Sequence, residues 1–211
     1  VCDHASAVLT PDSVKRLKSY RNDFPGTEFS FDENTSILTV RGKSAHGSTP
    51  EAGANALGAM LKFFADFHPD CRKAYDLLFA DVLGLRGISD ETGNLTMSPD
   101  VAKFENGILT ITTDIRFPAT HKKEEITGAL TRAGVNFSVV HEQAPLYNDP
   151  NGRLISTLMR VYNKATGKNE KAIAIGGGTY ARALKCGCGF GPELEDEEAT
   201  IHQPNEYITF D

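Results

Sequence analysis

Apolar and polar positions along this chain repeat with two periods, and the changes of period outline its elements. Over residues 3–21, Ala7, Val8, Val14 and Leu17 fall at helical spacing, with Thr10 a suitable N-cap and Pro11 suited to a first turn. Residues 28–31 alternate as a short strand, and Asp32-Glu33-Asn34 reads as a turn. Residues 37–41 form a second strand, with Leu38 and Val40 on one face and Ile37, Thr39 and Arg41 on the other. Residues 42–50 read as a loop. A helix is expected over 52–67, where Gly53 and Gly58 lower helix propensity and so predict close packing against a sheet. Pro69 ends it, and another helix is expected over 71–83.

Residues 101–105 and 107–116 read as an antiparallel pair joined by Glu105-Asn106-Gly107. A helix over 121–134 and a strand over 136–142 follow. Helices alternating with antiparallel pairs on one sheet predict an α+β fold of the split βαβ, ferredoxin-like kind. Pro145, Asn148, Asp149 and Pro150 then mark a linker. Beyond it come a helix over 154–165, a strand over 171–175 ending in three glycines, a helix over 180–185 and a strand over 188–190. This partial α/β segment of about 60 residues is too short for a full core. It is expected to complete a domain whose other strands lie outside the chain.

Composition narrows the function classes. Hydrophobic residues make up 40% and charged residues 24% of the 211, as in globular proteins. The net charge of -6 argues against nucleic acid as partner, because phosphate backbones call for concentrated Lys and Arg. No apolar run reaches the length of a bilayer span, so no membrane partner is expected. Cys2, Cys71, Cys186 and Cys188 lack the spacing of a zinc knuckle or redox motif. With no secretory segment in sight they fit a reducing, cytoplasmic setting. The start at Val1-Cys2-Asp3-His4 reads as a cut inside a longer polypeptide.

Four segments could carry chemistry. In Gly42-Lys43-Ser44-Ala45-His46-Gly47-Ser48-Thr49-Pro50, small residues around His46 let backbone approach a ligand, and the imidazole could donate to an oxyanion. In Thr113-Asp114-Ile115-Arg116-Phe117-Pro118, Asp114 and Arg116 share a strand face and either pair with each other or turn the arginine into a cleft. Ile175-Gly176-Gly177-Gly178-Thr179-Tyr180-Ala181-Arg182 reads as strand, glycine turn and helix start. Exposed N–H groups there favour an anion, and Arg182 could add a carboxylate contact. A tight structural turn is the competing reading. In Ile201-His202-Gln203-Pro204-Asn205-Glu206, His202 is of a type that ligates zinc, although one histidine is not a site.

In this order, the four segments resemble the M20 family of metallopeptidases, and among them the PepV-like dipeptidases. The resemblance implies a lid domain at residues 1–143, short of its first strand, and an incomplete C-terminal portion of the catalytic domain at 144–211. It implies a catalytic role for His46 at the oxyanion and for Arg116 near the substrate. Substrate binding would fall to Gly177, Gly178, Thr179 and Arg182, and metal ligation to His202. The cofactor implied is a pair of zinc ions activating water, with manganese or cobalt as alternatives. The substrate implied is a dipeptide or short peptide.

Most of the family's metal ligands and its general-base glutamate have no counterpart here. The chain alone is therefore expected to be inactive and to bind no metal pair, with the remainder of its own catalytic domain as its first partner. Pairing of two copies through lid edge strands is left open. The alternatives are an M20-type amidohydrolase acting on acylated amino acids and a stand-alone, non-catalytic peptide-binding module.

Overall fold

The computed structural model describes residues 1–191 and 205–207. They fall into two compact units. One is Val1–Pro145 with Ala174–Gly176, and the other is Leu146–Ile173 with the described residues from Gly177 onward.

The first unit begins with a strand, β1 (His4–Val8), where the apolar spacing predicted helix. Pairing decides the matter: Ala5 faces Val40 and Ala7 faces Leu38 across an antiparallel ladder. Helix α1 (Pro11–Ser19) starts where the cap signals put it, with Thr10 Oγ1 accepting from the Ser13 N–H at 3.3 Å. Strands β2 (Glu28–Asp32) and β3 (Ile37–Arg41) complete a three-stranded antiparallel sheet in the order β1-β3-β2. Leu38 and Val40 are fully buried on its inner face, as their alternation predicts.

The helix expected over 52–67 is divided. A 3₁₀ turn (Pro50–Ala52) precedes α2 (Ala56–Phe64). Between them, the backbone of Ala54 exchanges both hydrogen bonds with Lys43, at 2.9 Å each, so it cannot join a helical ladder. Asn55 restarts the helix by accepting from the Gly58 N–H at 3.1 Å. Gly58 is the close approach its cost implied: a Cβ there would lie 2.5 Å from the Phe79 ring and 2.7 Å from Phe24. Helix α2 lays Ala56, Ala59, Met60 and Phe63 against Leu38 and Val40, forming the main core. Leu57 and Leu61 on its other flank pack with Cys71 of α3 (Pro69–Leu78). Burial pushes the Cys71 thiol up to about 11, which leaves it an inert packing group.

A short pair, β4 (Ser89–Asp90) and β5 (Gly93–Asn94), leads into a long antiparallel ribbon of β6 (Thr96–Glu105) and β7 (Ile108–Arg116). Asn106 and Gly107 both take positive φ, the conformation a two-residue hairpin loop demands. Helix α4 (Lys123–Arg132) closes a second core on Leu85, Leu95, Met97 and Ile126. The unit is thus α+β, an antiparallel sheet flanked by helices.

The strands expected over 136–142, 171–175 and 188–190 do not form, and the helix over 180–185 is reduced to a 3₁₀ turn (Tyr180–Ala183). Val140 and Ile173 are 83% and 86% exposed. A strand exists only as part of a ladder, and no described residue offers these segments a partner. The second unit keeps its one long helix, α5 (Arg153–Thr166), ended by Gly167 in the left-handed region.

The link from β4 to α4 carries a charge-dependent clasp. Asp90 Oδ1 accepts from the Thr92 N–H and hydroxyl, each at 2.6 Å, and Oδ2 accepts from those of Thr120 at 2.8 and 2.7 Å. Desolvation pushes this carboxyl up, but the hydrogen bonds from Thr92 and Thr120 outweigh it and hold it well below the usual range. Beside it, Glu125 draws His121 up from its ordinary 6.5 through a hydrogen bond to Nδ1, and His121 draws Glu125 down from 4.5.

The signs differ. The stabilisation from Asp90 and Glu125 is present above their ordinary values and lost as pH falls through the lowered ones. That from His121 is full below 6.5 and lost as pH rises through the raised value. Thermal unfolding followed from pH 3 to 9 should therefore show a plateau between roughly 4.5 and 6.5 that falls on both sides. His121→Gln should remove part of the alkaline fall, and an unchanged alkaline limb would disprove the assignment.

Candidate functional site

Two of the four segments singled out in the sequence meet inside the first unit, where Gly176, from the start of a third, joins them. Residues 42–50 leave the end of β3, and their base is fixed by the Gly42 N–H donating to Asp3 O at 2.8 Å and by the Lys43–Ala54 exchange. A side chain at Gly42 would run into the Ala54 backbone, so glycine is required for this approach. The loop turns tightly at its tip, where the Thr49 N–H donates to His46 O at 3.0 Å.

His46 is exposed at that tip, and its ring is oriented locally. Ser48 Oγ lies 2.7 Å from Nδ1, and the Ser48 backbone N–H donates to the same nitrogen at 3.3 Å. A nitrogen that accepts from a backbone N–H carries no proton of its own. Neutral His46 therefore holds its proton on Nε2. Such a donor, held before any substrate arrives, is what stabilisation of a developing oxyanion calls for.

Arg116 stands at the end of β7, and the ambiguity over its pairing is resolved in both directions. Its Nε and Nη2 donate to Asp114 Oδ2 at 3.1 and 2.7 Å, and its Nη1 donates to the carbonyl of Gly176. Asp114 therefore holds the guanidinium plane while the outer edge meets a carbonyl oxygen. Gly47 packs against this ion pair: a Cβ there would strike the Asp114 carboxylate and lie 3.3 Å from Arg116 Nη2. Thr96, opposite Arg116 in the ribbon, donates its hydroxyl to Gly47 O at 3.0 Å and ties the histidine loop to the strand pair.

The remaining sequence-predicted residues are placed as follows. Gly177, Gly178, Thr179 and Arg182 belong to the second unit. Thr179 Oγ1 accepts from the Ala181 N–H at 3.2 Å and caps the 3₁₀ turn. Arg182 is exposed and folds back over Gly178, where a Cβ would lie 3.0 Å from its Nε. Because a four-residue turn replaces the expected helix, the helix dipole invoked for an anion at the glycines is not available. His202 lies outside the described residues.

Ser48 and Thr96 were not singled out from the sequence. The Ser48 contact is local and legible in the sequence, since a hydroxyl two residues after a loop histidine often bonds it. The Thr96 contact is not, because it depends on strand register.

Among the described residues no group of three or more His, Cys, Asp or Glu side chains comes together to hold a metal ion. They therefore do not fit a zinc pair by themselves. Among the same residues, no helix is long and apolar enough to cross a membrane.

Residues 35–133 match the family described as a peptidase dimerisation domain. A Staphylococcus epidermidis protein named "Putative dipeptidase" is 32% identical over 220 residues, covering 94% of this chain and 46% of its own length. A similarly named protein of Staphylococcus saprophyticus is 30% identical over 217 residues, covering 94% and 46%. One from Staphylococcus haemolyticus is 31% identical over 235 residues, covering 99% and 49%. The chain spans about half the length of the curated relatives it matches.

Proposed function

We propose that this chain, which belongs to the M20 family of dipeptidase-like proteins, is the substrate-capping part and an incomplete catalytic part of a zinc-dependent dipeptidase. The observation that carries this reading is the junction of the His46 loop with Arg116 through Gly47, Asp114 and Thr96. A hydrogen-bond donor and a guanidinium share one rigid support. These are the groups that capture of a small substrate with a carbonyl at one end and a carboxylate at the other requires.

The zinc pair implied by the family would supply the activated water. The described residues contribute no such site, so this chain's share of the chemistry is binding and polarisation. His46 Nε2–H donates to the carbonyl oxygen as charge grows on it. Arg116, its plane set by Asp114, takes the substrate's terminal carboxylate in place of the Gly176 carbonyl. By the family resemblance, Gly177, Gly178, Thr179 and Arg182 would take part in substrate binding, and His202 would serve as a metal ligand. By itself the chain is inactive. The four free thiols fit a cytoplasmic protein, and the description of the matched family supports pairing of two copies.

The test is metal-dependent hydrolysis of dipeptides by the full-length protein beside the present chain. Turnover is expected in the former alone. Zinc-dependent turnover by the chain itself would refute the division of labour. A preference of the full-length enzyme for acylated amino acids over dipeptides would move the substrate assignment to the amidohydrolase class.

Arg116 offers a sharper check. Arg116→Ala should raise KM for dipeptides by about tenfold or more through loss of a charge-assisted anchor. Arg116→Lys should recover only part of this, because an ammonium cannot present two parallel donors. Equal KM for all three proteins would remove Arg116 from the substrate site.

A further inference from the structure

A charged cavity of about 380 Å³ opens on the helical side of the first unit, formed by the C-terminal end of α1, the last turn of α2 and the start of α3. Four cations, Arg16, Arg21, Lys62 and Arg72, face two carboxylates, Asp23 and Asp66. The wall thus carries an excess of two positive charges on a chain whose net charge is -6.

Ordinary structural roles account for part of this. Arg16 and Lys62 sit in the last turns of α1 and α2, where a cation offsets the helix dipole. Lys62 pairs with Asp23 at 2.8 Å. Arg72, near the N-terminal end of α3, donates its Nε to the carbonyl of Ala65 at the C-cap of α2, at 3.3 Å. Its Nη2 reaches Asp66 at 3.0 Å, a carboxylate already engaged by Arg16, so two guanidinium groups share one negative charge. Arg21 forms no ion pair among the described residues.

We propose that this cavity binds a small phosphate-bearing anion, with Arg21 and Arg72 as its principal charge partners. A phosphate monoester carries about -1.5 to -2 charges near neutral pH, which matches the local excess. A cavity of this size also admits a small organic substituent beside the phosphate. The Tyr20 and Tyr75 rings would flank that substituent. The site is separate from the His46–Arg116 junction and does not depend on the dipeptidase reading.

The test is titration of the folded chain with inorganic phosphate and, separately, with phenyl phosphate. Ionic strength is held constant with sodium chloride, and the arginine Nε–H resonances are followed. Saturable shifts at Arg21 and Arg72 are expected, with Arg21→Gln and Arg72→Gln each weakening binding by about tenfold or more. Tighter binding of phenyl phosphate would identify a phosphate ester as the ligand, and equal binding would identify the phosphate group alone. Shifts linear in concentration, or saturable binding that survives both substitutions, would overturn the proposal. Arg21→Gln carries the test should Arg72→Gln unfold the unit.

Discussion

Replacing His46 with alanine in the full-length protein should lower kcat for dipeptides by about 10²–10³-fold, the loss seen when a single oxyanion donor is removed. KM should change little, because the donor meets full negative charge only in the transition state. Folding should be unaffected, since His46 is exposed and its ring is held by its own loop through Ser48.

The tautomer makes the expectation more specific. With Nδ1 accepting from the Ser48 N–H, ¹⁵N shifts of the ring should show an unprotonated Nδ1 and a protonated Nε2. Ser48→Ala removes only the hydroxyl contact and should cost far less than loss of the ring. A kcat for His46→Ala within about threefold of the parent would exclude the donor role, since a factor that small is under 1 kcal/mol. The opposite proton placement would exclude the orientation by Ser48.

Phe63→Ala should destabilise the chain by about 3–5 kcal/mol, the range for deleting a buried aromatic side chain. Phe63 is fully buried on α2. It packs edge-on against Tyr20 and Phe64 with centroids at 5.1 Å, and against Phe67 at 5.6 Å. With Phe29 of β2, whose ring centroid lies 6.3 Å from that of Phe63, these rings join α1, α2 and β2 into one core, so a void at the centre leaves several partners facing nothing. Small proteins have only about 5–15 kcal/mol of stability in all, so this one change should remove a large share. Phe63→Leu keeps most of the volume and should cost less than half as much. Urea unfolding measures both, and a loss below about 1 kcal/mol for Phe63→Ala would mean the side chain is not central to the core.

Much of the first unit was legible in the sequence because its signals are local. Alternation in residues 37–41 assigned Leu38 and Val40 to the core, and Asn106-Gly107 announced the hairpin between β6 and β7. Thr10 and Pro11 placed the start of α1. In each case the deciding interaction lies within a few residues, so sequence spacing and spatial proximity agree. The glycine-flanked histidine and the Asp114–Arg116 pair were legible for the same reason.

Tertiary structure decided what depended on a distant partner. Residues 4–8 became a strand because β3 offered a ladder, despite apolar spacing that suited a helix. Residues 136–142, 171–175 and 188–190 have strand composition but found no ladder among the described residues, and their apolar side chains stand exposed. The helix expected over 52–67 was divided by the contact between Ala54 and Lys43, eleven positions apart. By itself, the sequence determined which side chains carry chemistry and which face of each local element is apolar. Only the fold decided which of those side chains meet, because hydrogen-bond partners across a sheet or between loops are set by register and packing, which no single segment encodes.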